Sequence, residues 1–131
     1  MKTVLLIDDL RVFRDTPDAE LHIARTSEEA LNLLYSDPNK HWDEVWFDHD
    51  LGMQNGKDDT TMRVADFFAE QSFFGNPISV DKILIHTSNP VGKKNIALTL
   101  ERWGYPYQYV QAETYFTIDS ELYDAAQKSD S

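Results

Sequence analysis

Short apolar runs that end in polar residues alternate along this chain with segments that have the periodicity of a helix. The apolar runs are rich in β-branched and aromatic residues, which is typical of strands buried on both faces of a parallel sheet. Five such strands are predicted, at residues 3–7, 20–24, 44–48, 82–87 and 106–111.

Capping signals mark where the helices between these strands begin. Thr26 and Glu29 form a capping box, and Asn89 followed by Pro90 is typical of a helix N-terminus. Three helices are predicted: one from the cap at Thr26 to the turn at 37–39, one from near 58–60 to the turn at 75–77, and one from Asn89 to Trp103. Asp58 and Asp59 are interpreted as caps of the second helix.

The alternation of strands and helices predicts one α/β domain over residues 1–131, with a doubly wound, parallel, five-stranded sheet. The first crossover is expected to be short, because residues 10–19 contain Pro17 and leave little room for a helix. Residues 112–131 are predicted to add a terminal helix near 119–128 or to fray.

Composition narrows the classes of function. The chain has no cysteine, which excludes disulfides, thiolate nucleophiles and cysteine-ligated zinc. No apolar run approaches the ~18 residues of a membrane span. The N-terminal residues 1–10 are interpreted as a strand rather than a signal peptide, which predicts a soluble, cytoplasmic protein.

The net charge of −11 argues against a groove for a long nucleic acid, because a polyanion would be repelled over most of the surface. A small phosphate-containing ligand that is held through a metal remains compatible with this charge. We expect the protein to be a monomer or a weak homo-oligomer.

Polar side chains follow three of the predicted strands at the point where each strand ends. They are Asp8 and Asp9 after the first strand, Asp48, His49 and Asp50 after the third, and His86, Thr87, Ser88 and Asn89 after the fourth. Ligands of open α/β sheets bind beyond the carboxyl ends of the strands. The sequence therefore predicts one convergent site at this edge.

The crowding of carboxylates predicts a divalent metal at this site. Neighbouring carboxylates repel one another unless a cation neutralises them, and oxygen ligands on a half-open edge suit Mg²⁺ or Mn²⁺. A calcium loop beginning at Asp48 is excluded, because Gly52, Met53 and Asp59 occupy positions where an EF-hand needs an oxygen ligand, a glycine and a glutamate.

The paired acids Asp8 and Asp9, the acid Asp48, Thr87 or Ser88, and the stretch ARTSEEAL resemble the receiver domain of two-component signalling over nearly the whole chain. The resemblance implies a receiver-like (flavodoxin-like) fold. It also implies Asp9 and Asp48 as direct Mg²⁺ ligands, with Asp8 supporting through water. The receiver lysine after the fifth strand is missing from PYQYVQAETYFTI, which argues against signalling by phosphorylation of Asp48.

Three motifs are similar to a narrower family, the cyclic-phosphate processing receivers: DDLR at 8–11, FDHDLG at 47–52 and IHTSNPVG at 85–92. They add five residues to the ordinary receiver set: Arg11, His49, Asp50, His86 and Asn89. This resemblance implies action on a cyclic phosphate instead of signal relay.

These residues suggest a division of roles. Two imidazoles near neutrality can activate water and protonate a leaving oxygen, so His49 and His86, with Asp50, are the predicted catalytic residues. Arg11, Thr87, Ser88 and Asn89 are predicted to bind phosphate, and Asp8, Asp9 and Asp48 to bind the metal.

The predicted function is a metal-dependent phosphoesterase acting on a cyclic phosphate of a nucleotide or RNA end. Two alternatives remain open. One is a phosphoacceptor module with Asp48 as acceptor, and the other is a non-catalytic domain that binds a nucleotide or a partner. His49 faces the site only if the chain bends after Asp48, because a straight strand would place it opposite Asp48 and Asp50.

Overall fold

The protein was analysed as a computed structural model, which describes residues 1–122. In chain order the elements are β1 (Lys2–Ile7), β2 (Arg11–Phe13), β3 (Ala19–Ala24), α1 (Ser27–Ser36), β4 (His41–Phe47), β5 (Asp50–Gln54), β6 (Lys57–Thr60), α2 (Met62–Phe73), β7 (Ser79–Ile85), α3 (Pro90–Arg102), β8 (Tyr107–Tyr109), α4 (Ala112–Tyr115) and β9 (Phe116–Ile118).

The central sheet has five parallel strands in the order β3-β1-β4-β7-β8. This order and the intervening helices give a receiver-like, flavodoxin-like fold and confirm the predicted fold class. The first crossover, from β1 to β3, contains the three-residue strand β2 and no helix, so the shortened crossover is also confirmed. No helix within residues 1–122 has the length and apolar composition required to cross a bilayer.

The two faces of the sheet are covered differently. Alternate strand residues such as Leu5 and Phe47 share a core with α1, α2 and α3. The opposite face presents Val4 and Trp46 to a smaller core that includes Phe116 of β9. Because the first crossover lacks a helix, this second face is closed by the short elements β2, α4 and β9.

An antiparallel pair formed by β2 and β9 closes that second face. Its register places Phe13 opposite Phe116 and Arg11 opposite Ile118. The ring of Phe116 lies 4.7 Å from the ring of Phe13 and 5.2 Å from that of Trp46, measured between centroids. This pairing therefore fixes the segment that carries Arg11.

The start of the predicted tail is thus ordered, since residues 112–118 form α4 and β9. Of the helix predicted near 119–128, residues 120–122 are helical, and the backbone N–H groups of Glu121 and Leu122 donate to Asp119 Oδ1. The remainder of that predicted helix lies outside the described residues.

A β-hairpin precedes α2, so the prediction that α2 starts near 58–60 was wrong by two residues or more. Strands β5 and β6 pair antiparallel, and their turn has positive φ at Asn55 (54°) and Gly56 (76°). Asn-Gly with two positive φ angles is the preferred two-residue hairpin connection. The chain therefore remains extended up to Thr60.

The interpretation of Asp58 and Asp59 as caps of α2 was wrong. Asp59 is buried in β6, and its carboxylate accepts hydrogen bonds from the backbone N–H and the hydroxyl of Ser27. A carboxylate at the first turn of a helix is favourable for the helix dipole. Asp59 therefore stabilises the start of α1 and ties the hairpin to it.

The contribution of the β2 and β9 pair to the free energy of unfolding can be measured with Phe116→Ala. Phe116 is 2% exposed, and truncation of a buried phenylalanine removes about 3–5 kcal/mol of unfolding free energy. Thr117→Ala, an exposed position on the same strand, is the control and should change stability by less than about 0.5 kcal/mol. Equilibrium urea unfolding of both variants checks the prediction, and equal small losses would contradict it.

Candidate functional site

The register of the central strands brings the predicted site together. Ile7 pairs with Phe47, and Phe47 pairs with Ile85, so three adjacent strands end at the same level. The ladder continues for one residue, since the N–H of Asp48 donates to Ile7 O and that of His86 donates to Phe47 O. The three side chains that follow offer ligand atoms within 4.8 Å of one another: Asp8, Asp48 and His86.

Asp8 is the most completely bonded member of this cluster. Its Oδ1 accepts hydrogen bonds from the backbone N–H groups of Leu10 and Arg11, both at 2.9 Å, and its Oδ2 lies 2.9 Å from His86 Nε2. Burial alone would raise the pKa of Asp8, but the bonds from His86, Leu10 and Arg11 outweigh burial and lower it. Asp8 is therefore ionised at neutral pH.

His86 is a neutral hydrogen-bond donor in this arrangement. Burial lowers the pKa of His86, and the bond to Asp8 opposes that effect only in part. Because ionised Asp8 accepts and does not donate, the ring proton lies on Nε2. Nδ1 is buried and has no hydrogen-bond partner within residues 1–122, and the ring packs 4.7 Å from that of Phe116.

Asp48 carries the largest electrostatic penalty of the cluster. Burial and then the negative charge of Asp8 raise the pKa of Asp48 to about 7. The backbone N–H of His49 donates to its Oδ1 at 2.8 Å. One Arg11 nitrogen lies 3.5 Å from Asp48 Oδ2 and 3.4 Å from Asp8 Oδ2, so the cation of Arg11 offsets only part of the repulsion.

The donor set fits a hard divalent cation. Two carboxylates at a half-open edge suit Mg²⁺ or Mn²⁺, which retain water and accept further oxygen ligands. His86 Nε2 is occupied by the proton that it donates to Asp8. Binding metal through this nitrogen would move the proton to the unpartnered Nδ1, which is unfavourable for a buried donor.

Asp9 is not part of the cluster of three. It is half-buried, and a Cβ built on Gly52 would lie 3.4 Å from its Oδ2. Burial and the charge of Asp8 raise the pKa of Asp9. A direct role of Asp9 in metal binding, which the resemblance implies, remains a prediction.

A second group of predicted residues lies beside the first. His49 Nδ1 is 2.9 Å from Asp50 Oδ1, and Asn89 Nδ2 donates to Asp50 Oδ2 at 3.3 Å. Strand β4 ends at Phe47 and β5 begins at Asp50, so the chain bends between them. This bend keeps the backbone of His49 at the same edge as Asp48, while its ring lies against α3 and lines a different pocket with Asp50, Asp58 and Asp59. A catalytic role of His49 remains a prediction.

A cavity of about 200 Å³ opens next to the acidic cluster. The site residues that line it are Arg11, His86, Thr87, Ser88 and Lys93. Thr87 is buried and accepts a bond from the N–H of Asn89, whereas Ser88 is exposed. Arg11 and Lys93 outnumber the single carboxylate of the lining, that of Glu113, which makes this cavity suitable for a small anion.

Two cationic residues outside the predicted set border the site. Lys93 has the pattern of a solvated helix face, yet it lines the cavity with its ammonium 5.1 Å from the ring centroid of Tyr109. Arg25 donates from one nitrogen to the carbonyl oxygens of Asp8 and Arg11, at 3.1 and 2.7 Å. These contacts join segments distant in sequence, so no local motif signals them.

A parallel five-stranded sheet with an acidic cluster at its carboxyl edge defines a receiver-like domain. The family described as Cyclic-phosphate processing Receiver domain matches residues 3–102, and the chain belongs to this family. No curated protein and no solved structure gives a significant match to the chain.

The raised pKa of Asp48 predicts how the stability of the metal-free protein depends on pH. Its pKa rises from 3.8 to about 7 on folding, so the unfolded chain loses this proton first. The contribution of Asp48 to the free energy of unfolding should therefore fall as pH rises from about 4 to about 7 and then level off. Asp48→Asn should remove this loss and stabilise the metal-free protein at pH 8 by up to about 4 kcal/mol.

Urea unfolding of both proteins in a chelator, from pH 4 to pH 8, measures this difference. Asp8 and His86 contribute with the opposite sign and Asp9 with the same sign, but all three are present in both proteins, so the comparison isolates Asp48. Parallel pH profiles for the two proteins would show that Asp48 carries no such penalty.

Proposed function

We propose that this protein is a divalent-metal-dependent phosphoesterase that opens a cyclic phosphate of a nucleotide or RNA end. The observation that carries the proposal is the convergence of two unlike groups at one sheet edge. One is the Asp8 and Asp48 carboxylate pair, and the other is the His49 and Asp50 pair. The two groups follow each other in the chain, and the backbone N–H of His49 donates to Asp48 Oδ1.

Arg11 is suited to bind the phosphate of the substrate. Its guanidinium already lies at the two carboxylates, so a phosphate there would meet a cation on one side and the metal site on the other. The cavity beside it is smaller than the roughly 300 Å³ at which drug-sized ligand pockets begin. These dimensions favour recognition of the phosphate and its sugar.

Asp8 and Asp48 would hold the metal ion in this proposal. When bound, the ion supplies polarisation of a phosphate oxygen and a lower pKa for water. His86 acts on the site through Asp8, because its buried Nε2–H orients that carboxylate. Hydrogen bonds of this kind to ligand side chains typically change metal affinity by 10–100-fold.

His49 is then the group that moves protons. In this proposal Asp50 accepts a hydrogen bond from Nδ1–H of His49, which leaves Nε2 to accept a proton. The amide nitrogen of Asn89 lies 3.4 Å from the same Nδ1. His49 takes a proton from water as the water oxygen bonds to phosphorus. The ring P–O bond breaks, and the protonated His49 returns its proton to the leaving oxygen, so a cyclic diester and water become a monoester.

Hydrolysis assays with 2′,3′-cyclic, 3′,5′-cyclic and linear nucleotide phosphates, with Mg²⁺ or Mn²⁺, test the proposal. We expect turnover of a cyclic substrate, with a loss of about 10²–10⁴-fold in kcat for His49→Ala. Asp48→Asn should lose metal-dependent turnover. His86→Ala should require a higher metal concentration for half-maximal activity.

Lys94→Ala, at an exposed position of α3, is the matched control and should retain full activity. Absence of turnover on every substrate, under conditions where the metal is shown to bind, would refute the proposed activity.

A specific observation also favours a second candidate function, the phosphoacceptor module. The segment after β8 lacks the receiver lysine, but Lys93 on α3 lines the cavity together with Arg11. A lysine from another element is therefore present in the cavity beside Arg11, whose guanidinium lies 3.5 Å from Asp48. A small phosphodonor with Mg²⁺ would give a hydroxylamine-labile adduct on Asp48 if this function holds, whereas the phosphoesterase proposal predicts no lasting adduct.

A further inference from the structure

Gly92 lies in the first turn of α3, where its backbone gives no reason for a glycine. The chain has five glycines, and the other four have positive φ: Gly52, Gly56, Gly75 and Gly104. Gly92 has an ordinary φ for a helix, and glycine is among the least favourable residues there. The missing side chain, and not conformational freedom, must therefore explain it.

The imidazole of His49 occupies the space that a side chain at position 92 would need. A Cβ built on Gly92 would lie 2.6 Å from His49 Nδ1 and closer still to Cγ and Cδ2 of the same ring. The Cα of Gly92 is buried under this ring. His49 is accordingly only 13% exposed, although it belongs to a connecting segment.

The same turn of α3 also fixes the partner of His49. The N–H of Gly92 donates to Asn89 Oδ1 at 3.0 Å, which caps the helix. The amide nitrogen of Asn89 then donates to Asp50 Oδ2, while Asp50 Oδ1 faces His49 Nδ1. One face of the ring thus rests on Gly92, and its edge is held by a carboxylate that the same helix start positions.

We propose that Gly92 is a positioning residue for His49, and that its bare Cα sets the imidazole against Asp50. Gly92 contacts neither metal nor substrate in this proposal. Its consequence for turnover rests on the proposed phosphoesterase function, whereas the contact itself can be tested on the protein without any substrate.

The stability test is a cycle of Gly92→Ala, His49→Ala and the double variant, measured by thermal unfolding. In the native background the added methyl group clashes with the ring, so Gly92→Ala should lower Tm by several degrees. In the His49→Ala background the clash is absent, and the better helix propensity of alanine should raise Tm by about 3–5 °C. The double variant keeps the test valid if Gly92→Ala alone fails to fold.

The activity test uses the same four proteins. Gly92→Ala should lower kcat at unchanged substrate KM, and the double variant should be no slower than His49→Ala. Val91→Ala, an exposed neighbour in the same turn, is the control and should leave both Tm and kcat unchanged. A nuclear Overhauser contact between the His49 ring and the Gly92 Hα protons provides a direct readout in the unmodified protein.

An equal Tm change for Gly92→Ala in both backgrounds, or a kcat loss that multiplies with that of His49→Ala, would overturn the proposal. If the native protein turns over no substrate, the proposed function fails. The Tm cycle and the Overhauser contact then decide the role of Gly92 on their own.

Discussion

The repulsion between two carboxylates at a buried sheet edge is the constraint on which the rest of this structure depends. Asp8 and Asp48 follow adjacent strands that end at the same level, so the fold forces them together. Hydrogen bonds from two backbone N–H groups and from His86 stabilise the negative charge of Asp8. The guanidinium of Arg11 partly neutralises both carboxylates. The compensation remains incomplete, because burial and then the charge of Asp8 still raise the pKa of Asp48 to about 7. Such a site favours a cation of higher charge than an arginine.

The shortened first crossover carries the cation that lies beside these two carboxylates. This crossover contains the short strand β2 instead of a helix, and the first residue of β2 is Arg11. Strand β9 pairs antiparallel with β2. The guanidinium of Arg25 donates hydrogen bonds to the backbone carbonyl oxygens of Asp8 and Arg11. The second face of the sheet is therefore covered although the crossover has no helix. The same crossover places Arg11, a cation, beside the acidic cluster. Segment 8–13 therefore contributes both to the packing of the second core and to the charge of the candidate site.

How far the sequence predicts this site depends on the range of the interactions. The ends of buried strands are local signals, and parallel pairing then brings Asp8, Asp48 and His86 together. The contacts of Asp59 with Ser27 and of His49 with Gly92 join distant segments, so no local pattern indicates them. The hairpin at 50–60, in contrast, does have a local signal, because Asn-Gly favours a two-residue hairpin turn. The prediction of a helix start at 58–60 did not take this signal into account.

The most direct test of the central claim is calorimetric titration of the metal-free protein with Mn²⁺, at pH 7 in two buffers of different ionisation enthalpy. We predict one ion per chain with release of about half a proton, since Asp48 must ionise fully to bind it. Asp48→Asn should lose both the binding and the proton release. Absence of binding, or equal affinity in native protein and Asp48→Asn, would contradict a metal site built on this carboxylate pair.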